Sequence, residues 1–405
     1  MGSISSTPSQ KSPVFPTPSL LPSDIVAVRP EGDEAKVLKF PDLVKSIPFP
    51  LRLNPYIRFV SAESDAFIIE YANFSEKQRN RFIGLNAGLL CGMCYAECGP
   101  EQLRVCCDFM SFLFNLDDWS DEFDTAGTKG LEEAVMNTLY HPDTYVSDTV
   151  AARTARSWWT RMLKTVGPRC RQRFVETLGF YFKAILQQAA DRSSKSIPDL
   201  ETYISLRRDT SGCKTGFALI EYAAGIDLPN EVVDHPIIQS LLDATNDCVS
   251  WANDILSYNR EQSRGDTHNL VPVIMQTVGI DRQAAIDYAG DLCNKTVEHF
   301  LEGKAALPSW GKEVDAQVEQ YVQGLEDWII ANAEWSFMTE RYFGKDGPKI
   351  RKGLQLSYRQ LRSHLPSDWS AHPRISFTLA VGPGAVMEDH TVCRVGVSKL
   401  SQGSS

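Results

Sequence analysis

From about Phe40 to Leu365, apolar residues recur three and four positions apart, and runs alternating with period two are rare. That spacing lines one face of a helix and predicts a chain helical almost throughout. Prolines punctuate the pattern: Pro100, Pro168, Pro198, Pro236 and Pro308 each precede a long periodic segment. Proline suits a first helical turn, where its missing N–H would have no partner anyway. The pattern predicts helices near 75–97, 100–122, 148–164, 168–191, 198–224, 236–263, 281–304 and 308–342, with one more near 348–363. Gly212 and Gly216 interrupt the 198–224 segment. No Gly/Ser-rich linker, internal repeat or dinucleotide-type glycine loop divides the run. A chain of 405 residues is long for one domain, yet one all-α domain over 41–365 accounts for the pattern. Residues 1–40 begin "MGSISSTPSQKSPVFPTPS" and read as a disordered Ser/Pro-rich arm, without the apolar core of a secretory leader. Residues 366–405 lose the helical period and read as a C-terminal tail.

Composition narrows the chemistry. Hydrophobic residues make up 43% of the chain, ample for a large core. The net charge of −10 argues against nucleic acid as a partner, so an anionic ligand needs a local basic cluster or metal ions. No apolar run reaches the ~18 residues that span a bilayer, so no stable membrane insertion is expected. The ten cysteines follow no disulfide framework, which points to a reducing, cytoplasmic setting. Cys91, Cys94 and Cys98 lack a fourth ligand at a recognisable spacing and read as buried thiols, not a zinc site.

Two polar clusters stand out against this background. Five acidic residues fall within 117–124, directly after Phe112, Leu113, Phe114 and Leu116. Asp117 and Asp121, four apart, share a face near the end of the 100–122 helix. A helix C-terminus is electrostatically negative, and buried unpaired carboxylates are costly. A hard divalent cation resolves both conflicts. Asn253, Ser257 and Glu261, spaced i, i+4 and i+8, line about 12 Å of a second helix with three more oxygen donors. Trp251, Ile255 and Leu256 around them argue against a solvated stripe.

"DDWSD" followed by "NDILSYNRE" resembles the two metal-binding motifs of class I terpene synthases, and the surrounding sequence looks most like the fungal sesquiterpene synthases. "LRRDTSG" resembles the family segment that carries a pyrophosphate-sensing arginine, with Arg207 46 residues before Asn253. "ERYFG" is similar to the family's Arg-Tyr pair. The motifs occur in family order across roughly 75–345. One position departs: Thr210 stands three after Arg207, where relatives often carry an acid.

The resemblance implies a single-domain class I terpenoid synthase helical bundle around a central cavity. It implies three Mg2+ ions, with Mn2+ able to substitute, held by Asp117, Asp121, Asn253, Ser257 and Glu261. The substrate implied is a prenyl pyrophosphate, farnesyl pyrophosphate for a sesquiterpene product, bound through Arg207, Arg260, Arg341 and Tyr342. Phe114, one turn before Asp117, and Trp335, six residues before Arg341, are the expected aromatic walls for a carbocation. Phe109, Trp251 and Phe337 are expected to be ordinary core. The loops at 263–270 and near Gly344 are candidate lids, and an antiparallel-type homodimer is common in such proteins. Two rival readings are a chain-elongating prenyltransferase of the same fold, which would want a second Asp-rich motif near Asn253, and a non-catalytic helical scaffold with a vestigial pocket.

Overall fold

The structure, a computed structural model, describes residues 37–357 apart from 73, 124, 195 and 196, together with all side chains in that range except those of 121, 122 and 192–194. The described chain is a helical bundle. In order, the helices are α1 (Ile57–Ala72), α2 (Glu76–Leu85), α3 (Ala87–Cys94), α4 (Pro100–Glu122), α5 (Thr125–Tyr140), α6 (Val150–Met162), α7 (Pro168–Ser194) and α8 (Leu200–Thr210). They continue as α9 (Cys213–Ala224), α10 (Asn230–Val233), α11 (Pro236–Gln262), α12 (Leu270–Val278), α13 (Arg282–Ala305), α14 (Lys312–Met338), α15 (Glu340–Phe343) and α16 (Gly347–Gly353). Two short strands, β1 (Val37–Lys39) and β2 (Gln355–Ser357), pair antiparallel, with Leu38 opposite Leu356.

Local chemistry explains most boundaries. Pro100 and Pro236 occupy the first turns of α4 and α11, and Pro168 opens α7. Side chains of Thr149, Asp199, Asn269 and Asp281 accept from backbone N–H groups of the helices they precede. Ser75 and Gln78 form a reciprocal capping box on α2.

Several predicted spans differ. The 75–97 segment breaks at Asn86, whose left-handed φ of 55° ends α2 and starts α3. The 198–224 segment breaks at Gly212, with φ of 69°, where an added Cβ would lie 2.9 Å from Leu113 of α4. Gly216 is a packing glycine, since a Cβ there would fall 2.5 Å from the Trp328 ring. Pro308 does not open a helix; α14 starts after Gly311, whose φ is 99°. The helix expected over 348–363 stops at Gly353 because Leu354 turns left-handed into β2; residues 358–363 lie outside the described residues. Residues 37–40 belong to the fold rather than the arm, with Leu38 and Phe40 buried. Residues 1–36 of the arm and the tail at 366–405 lie outside the described residues.

Two long helices organise the interior. α4 packs on α1, α3, α6 and α9, while α11 packs on α13 and α14. Behind α4 an aromatic cluster fills the core: Phe109 and Trp159 both meet Phe174, at ring-centroid distances of 5.0 and 5.6 Å. Cys91, Cys94 and Cys98 are buried thiols, as the sequence suggests. Burial pushes the Cys98 thiol up to about 12. Phe109, Trp251 and Phe337 are core residues. Among the described residues, no helix is long and apolar enough to cross a membrane.

Asp65 on α1 carries a measurable cost. Burial first, and then the nearby Asp108 carboxylate, push its pKa up to about 6. A carboxyl raised above its unfolded value costs stability in full above about pH 6, and the cost fades as pH falls through that window toward the unfolded value of about 4. Asp65→Asn should therefore raise Tm by roughly 1–3 °C near pH 7.5, with a gain that shrinks toward zero near pH 4. Paired thermal melts at the two pH values read this directly.

Candidate active site

α4 ends in a graded face. Phe112 is buried, Leu113 and Phe114 are half-buried, and the Asp117 and Asp118 carboxylates reach solvent, with side-chain exposures of 41% and 26%. Asp121 completes the helix, but its side chain lies outside the described residues. On α11, Asn253, Ser257 and Glu261 share one face as their spacing requires, with Ser257 fully buried.

The four-residue helix α15 joins the two rows. Arg341 Nη2 donates to Asp117 Oδ2 at 2.9 Å, and its Nη1 lies 3.4 Å from Asp118 Oδ1. The next residue reaches the other way: the Tyr342 hydroxyl accepts from Asn253 Nδ2 at 2.6 Å. Adjacent residues thus touch both clusters that the sequence singled out. Arg260 Nη1 fastens this turn to α11 by donating to the Arg341 carbonyl at 2.7 Å.

Arg207 approaches from α8. Its Nη2 donates to Asn253 Oδ1 at 3.0 Å and its Nε to Asp254 Oδ1 at 3.0 Å. Asp254 also accepts from the Tyr203 hydroxyl at 2.6 Å and from the Leu270 N–H at 3.1 Å. It anchors Arg207 from behind. Arg208 points elsewhere, in a two-pronged pair with Asp247 at 2.8 and 2.6 Å and a third bond to Asp243. A cleft of about 440 Å³ opens on that outer side of α8, around Arg208, Lys214 and Asp243, away from the partners of Arg207.

The electrostatics favour an anion bound with cations. Burial pulls Arg260 down to about 10, helped by Arg341, Arg264 and Arg81. Four guanidinium groups therefore feel one another at this mouth. Burial also pulls at Arg207 and Arg341, but their carboxylate neighbours more than offset it and hold both above the usual arginine range. Glu261 is pushed up to about 7, first by burial and then by Asp266 and Asp254. Asn269 donates to its Oε2 at 2.9 Å, and the Arg207, Arg341 and Arg264 guanidinium groups lie within electrostatic reach. A buried carboxylate on one face with an amide and a hydroxyl oxygen fits a hard divalent cation. Among the described residues no three His, Cys, Asp or Glu side chains form a metal cluster by themselves. The candidate donor set instead mixes Asp, Asn, Ser and Glu oxygens from two helices.

The two rings expected as aromatic walls lie together. Phe114 and Trp335 rings lie 5.5 Å apart, and Trp335 meets Tyr342 edge-on at 6.1 Å. The Trp335 indole N–H donates to the Asn86 carbonyl at 2.9 Å, so the left-handed break between α2 and α3 fixes the ring. Arg341 lies over Phe114 at 5.4 Å. Three participants escaped the sequence reading. Arg81 of α2 donates to Asp118 Oδ1 at 2.6 Å, and nothing in its own surroundings flags it. Arg264 follows Arg260 by four positions, a spacing that could have marked it. Asp254 was masked by its neighbour Asn253.

Comparison with known proteins supplies the family. Residues 108–299 match a family model described as terpene synthase family 2, C-terminal metal binding. The chain is 98% identical over 357 residues to sesquiterpene synthase 3 of Postia placenta, covering 88% of this chain and 98% of that protein. The chain belongs to the family of fungal sesquiterpene synthases. Sesquiterpene synthase Agr1 of Cyclocybe aegerita is 48% identical over 328 residues, covering 80% of this chain and 95% of its own. Among solved structures, germacradien-4-ol synthase from Streptomyces citricolor shares the fold at TM-score 0.64 and 23% identity, over 71% of this chain and 96% of that one. The α4 and α11 clusters of this sesquiterpene synthase both fall inside the matched metal-binding region.

Proposed function

We propose that this enzyme ionises farnesyl pyrophosphate and cyclises it to a sesquiterpene hydrocarbon or alcohol, releasing pyrophosphate. One observation carries the reading: Arg341 on Asp117 and Tyr342 on Asn253 bring the two oxygen-donor rows to a single arginine-lined mouth beside an aromatic wall.

Asp117 and Asp121 on α4, and Asn253, Ser257 and Glu261 on α11, would hold the metal, Mg2+ in this reading with three ions per site and Mn2+ as a substitute. Bound there, Mg2+ supplies Lewis-acid neutralisation of the leaving pyrophosphate. Arg207, Arg260 and Arg341 grip phosphate oxygens through their N–H donors, and the Tyr342 hydroxyl adds another. These donors are most useful where negative charge develops as the allylic C–O bond breaks. Phe114 and Trp335 face the resulting carbocation with π electrons, worth about 0.5–2 kcal/mol each, and offer no nucleophile to trap it. Closure of the mouth keeps bulk water from quenching the cation. No side-chain base is required, since the released pyrophosphate can accept the final proton. The reading leaves room for a homodimer, and sedimentation of the purified chain tells monomer from dimer.

Purified protein given geranyl, farnesyl or geranylgeranyl pyrophosphate with Mg2+ should release cyclic C15 products from the farnesyl substrate, detected by gas chromatography–mass spectrometry. A chelator should abolish release. Chain lengthening on addition of the C5 isoprenyl pyrophosphate would establish the prenyltransferase reading instead, and no turnover at all would favour the scaffold.

A further inference from the structure

The turn that bears Arg341 and Tyr342 cannot hold itself. α15 has four residues, preceded by extended Thr339 and followed by Gly344 at φ of 58°. Isolated helices of that length do not persist in water. Its support comes from both ends of the described chain. β1 pairs with β2 across more than three hundred residues, and the Phe40 N–H extends the ladder to the Leu354 carbonyl at 2.7 Å. Gln283 of α13 holds the first strand from its other edge: Oε1 accepts from the Lys39 N–H at 3.0 Å and Nε2 donates to the Lys39 carbonyl at 2.8 Å. Arg351 of α16 bonds Asp42 at 3.2 Å. From β2, the Ser357 carbonyl accepts from Asn259 on the metal-binding helix α11 at 3.1 Å.

This clasp delivers one ring to the turn. Phe40, buried at 5% exposure, meets Phe343 at 5.7 Å, and Phe343 in turn stacks on Phe337 of α14 at 5.8 Å with 16° between planes. Phe343 directly follows Tyr342 and lies against its ring at 6.3 Å. On the opposite side, Thr339 Oγ1 donates to the Leu85 carbonyl of α2 at 2.8 Å. The turn is therefore pinned between α2 and the paired chain ends.

We propose that Phe40 and the β1–β2 pairing are a positioning device for the pyrophosphate grip: Phe40 seats Phe343, and Phe343 fixes Arg341 and Tyr342 over the two metal-binding rows. The proposal rests on the functional reading above. It makes Phe40 a positioning residue, remote from substrate and acting through α15. Loosening the seat leaves Arg341 and Tyr342 in place chemically but spread over more orientations, so grip on pyrophosphate weakens more than the intrinsic rate falls.

The test compares wild type, Phe40→Ala and Gln283→Ala at one temperature where circular dichroism shows each folded, with pyrophosphate as inhibitor and Mg2+ saturating. The inhibition constant should rise about tenfold in Phe40→Ala and about threefold in Gln283→Ala, KM rising in parallel and kcat changing less. A lowered Tm with inhibition constants within about 1.5-fold of wild type would show mere packing and overturn the proposal. If Phe40→Ala does not fold, Gln283→Ala decides on the same threshold. A wild type that neither turns over prenyl pyrophosphates nor binds pyrophosphate would overturn the functional reading, and this proposal with it.

Discussion

Asp117→Ala should lower kcat/KM by about three orders of magnitude, equivalent to ~4 kcal/mol of transition-state stabilisation, while leaving Tm within ~2 °C of wild type. The two halves of that expectation have separate causes. The side chain is 41% exposed and its ion pair to Arg341 lies at the mouth, so little packing is lost with it. Its proposed chemical role is different in kind: removing a hard oxygen donor from α4 would take away charge that a bound metal needs, and leaves Arg341 without the nearer of its two carboxylate partners. Asp117→Asn should fall between, because an amide oxygen coordinates more weakly than a carboxylate. Steady-state assays of folded variants give the answer, and retained turnover in Asp117→Ala would remove the metal role assigned here.

The second large effect concerns stability as much as turnover. Asp254→Ala should reduce the unfolding free energy by about 3–5 kcal/mol, because it leaves Arg207 charged without its paired carboxylate in a largely buried setting. Arg207 and Asp254 pair at 2.9 Å, with side-chain exposures of only 14% and 2%. Tyr203 and the Leu270 N–H lose an acceptor in the same step. If uncompensated charge is the cause, the double variant Arg207→Met, Asp254→Ala should recover part of the loss, although turnover would stay low without the arginine. Urea titrations of both variants measure this. A loss under ~1 kcal/mol in the single variant would mean that Arg207 is not held by this carboxylate.

The two polar rows proposed to hold metal were legible because a shared helix face imposes a local pattern. Oxygen donors that face one ligand from one helix must recur at three- and four-residue spacing, as Asn253, Ser257 and Glu261 do. α4 and α11 were legible for a related reason: proline at the first turn and an unbroken apolar stripe are both local signals. The break at Asn86 was not, because a non-glycine residue in the left-handed region looks ordinary in sequence. Yet that break carries the carbonyl that orients Trp335. β1 and β2, three residues each, are too short to show a period, and their pairing is purely tertiary. Arg81 and Asp254 escaped for the same reason. Arg81 is one arginine on an exposed helix until folding brings Asp118 to it. The Asp254 carboxylate turns toward α8, not along the donor row, and only Arg207 arriving from elsewhere reveals its use.

The central claim is that α4 and α11 clasp one metal–pyrophosphate cluster between them, with α15 closing over it. Anomalous scattering from crystals soaked in Mn2+ and pyrophosphate tests it most directly. The account predicts metal peaks bracketed by the Asp117 carboxylate on one side and by Asn253, Ser257 and Glu261 on the other, with phosphate oxygens within reach of Arg207 and Arg341. Ordered metal and pyrophosphate elsewhere on the protein, with these side chains uncoordinated, would contradict it.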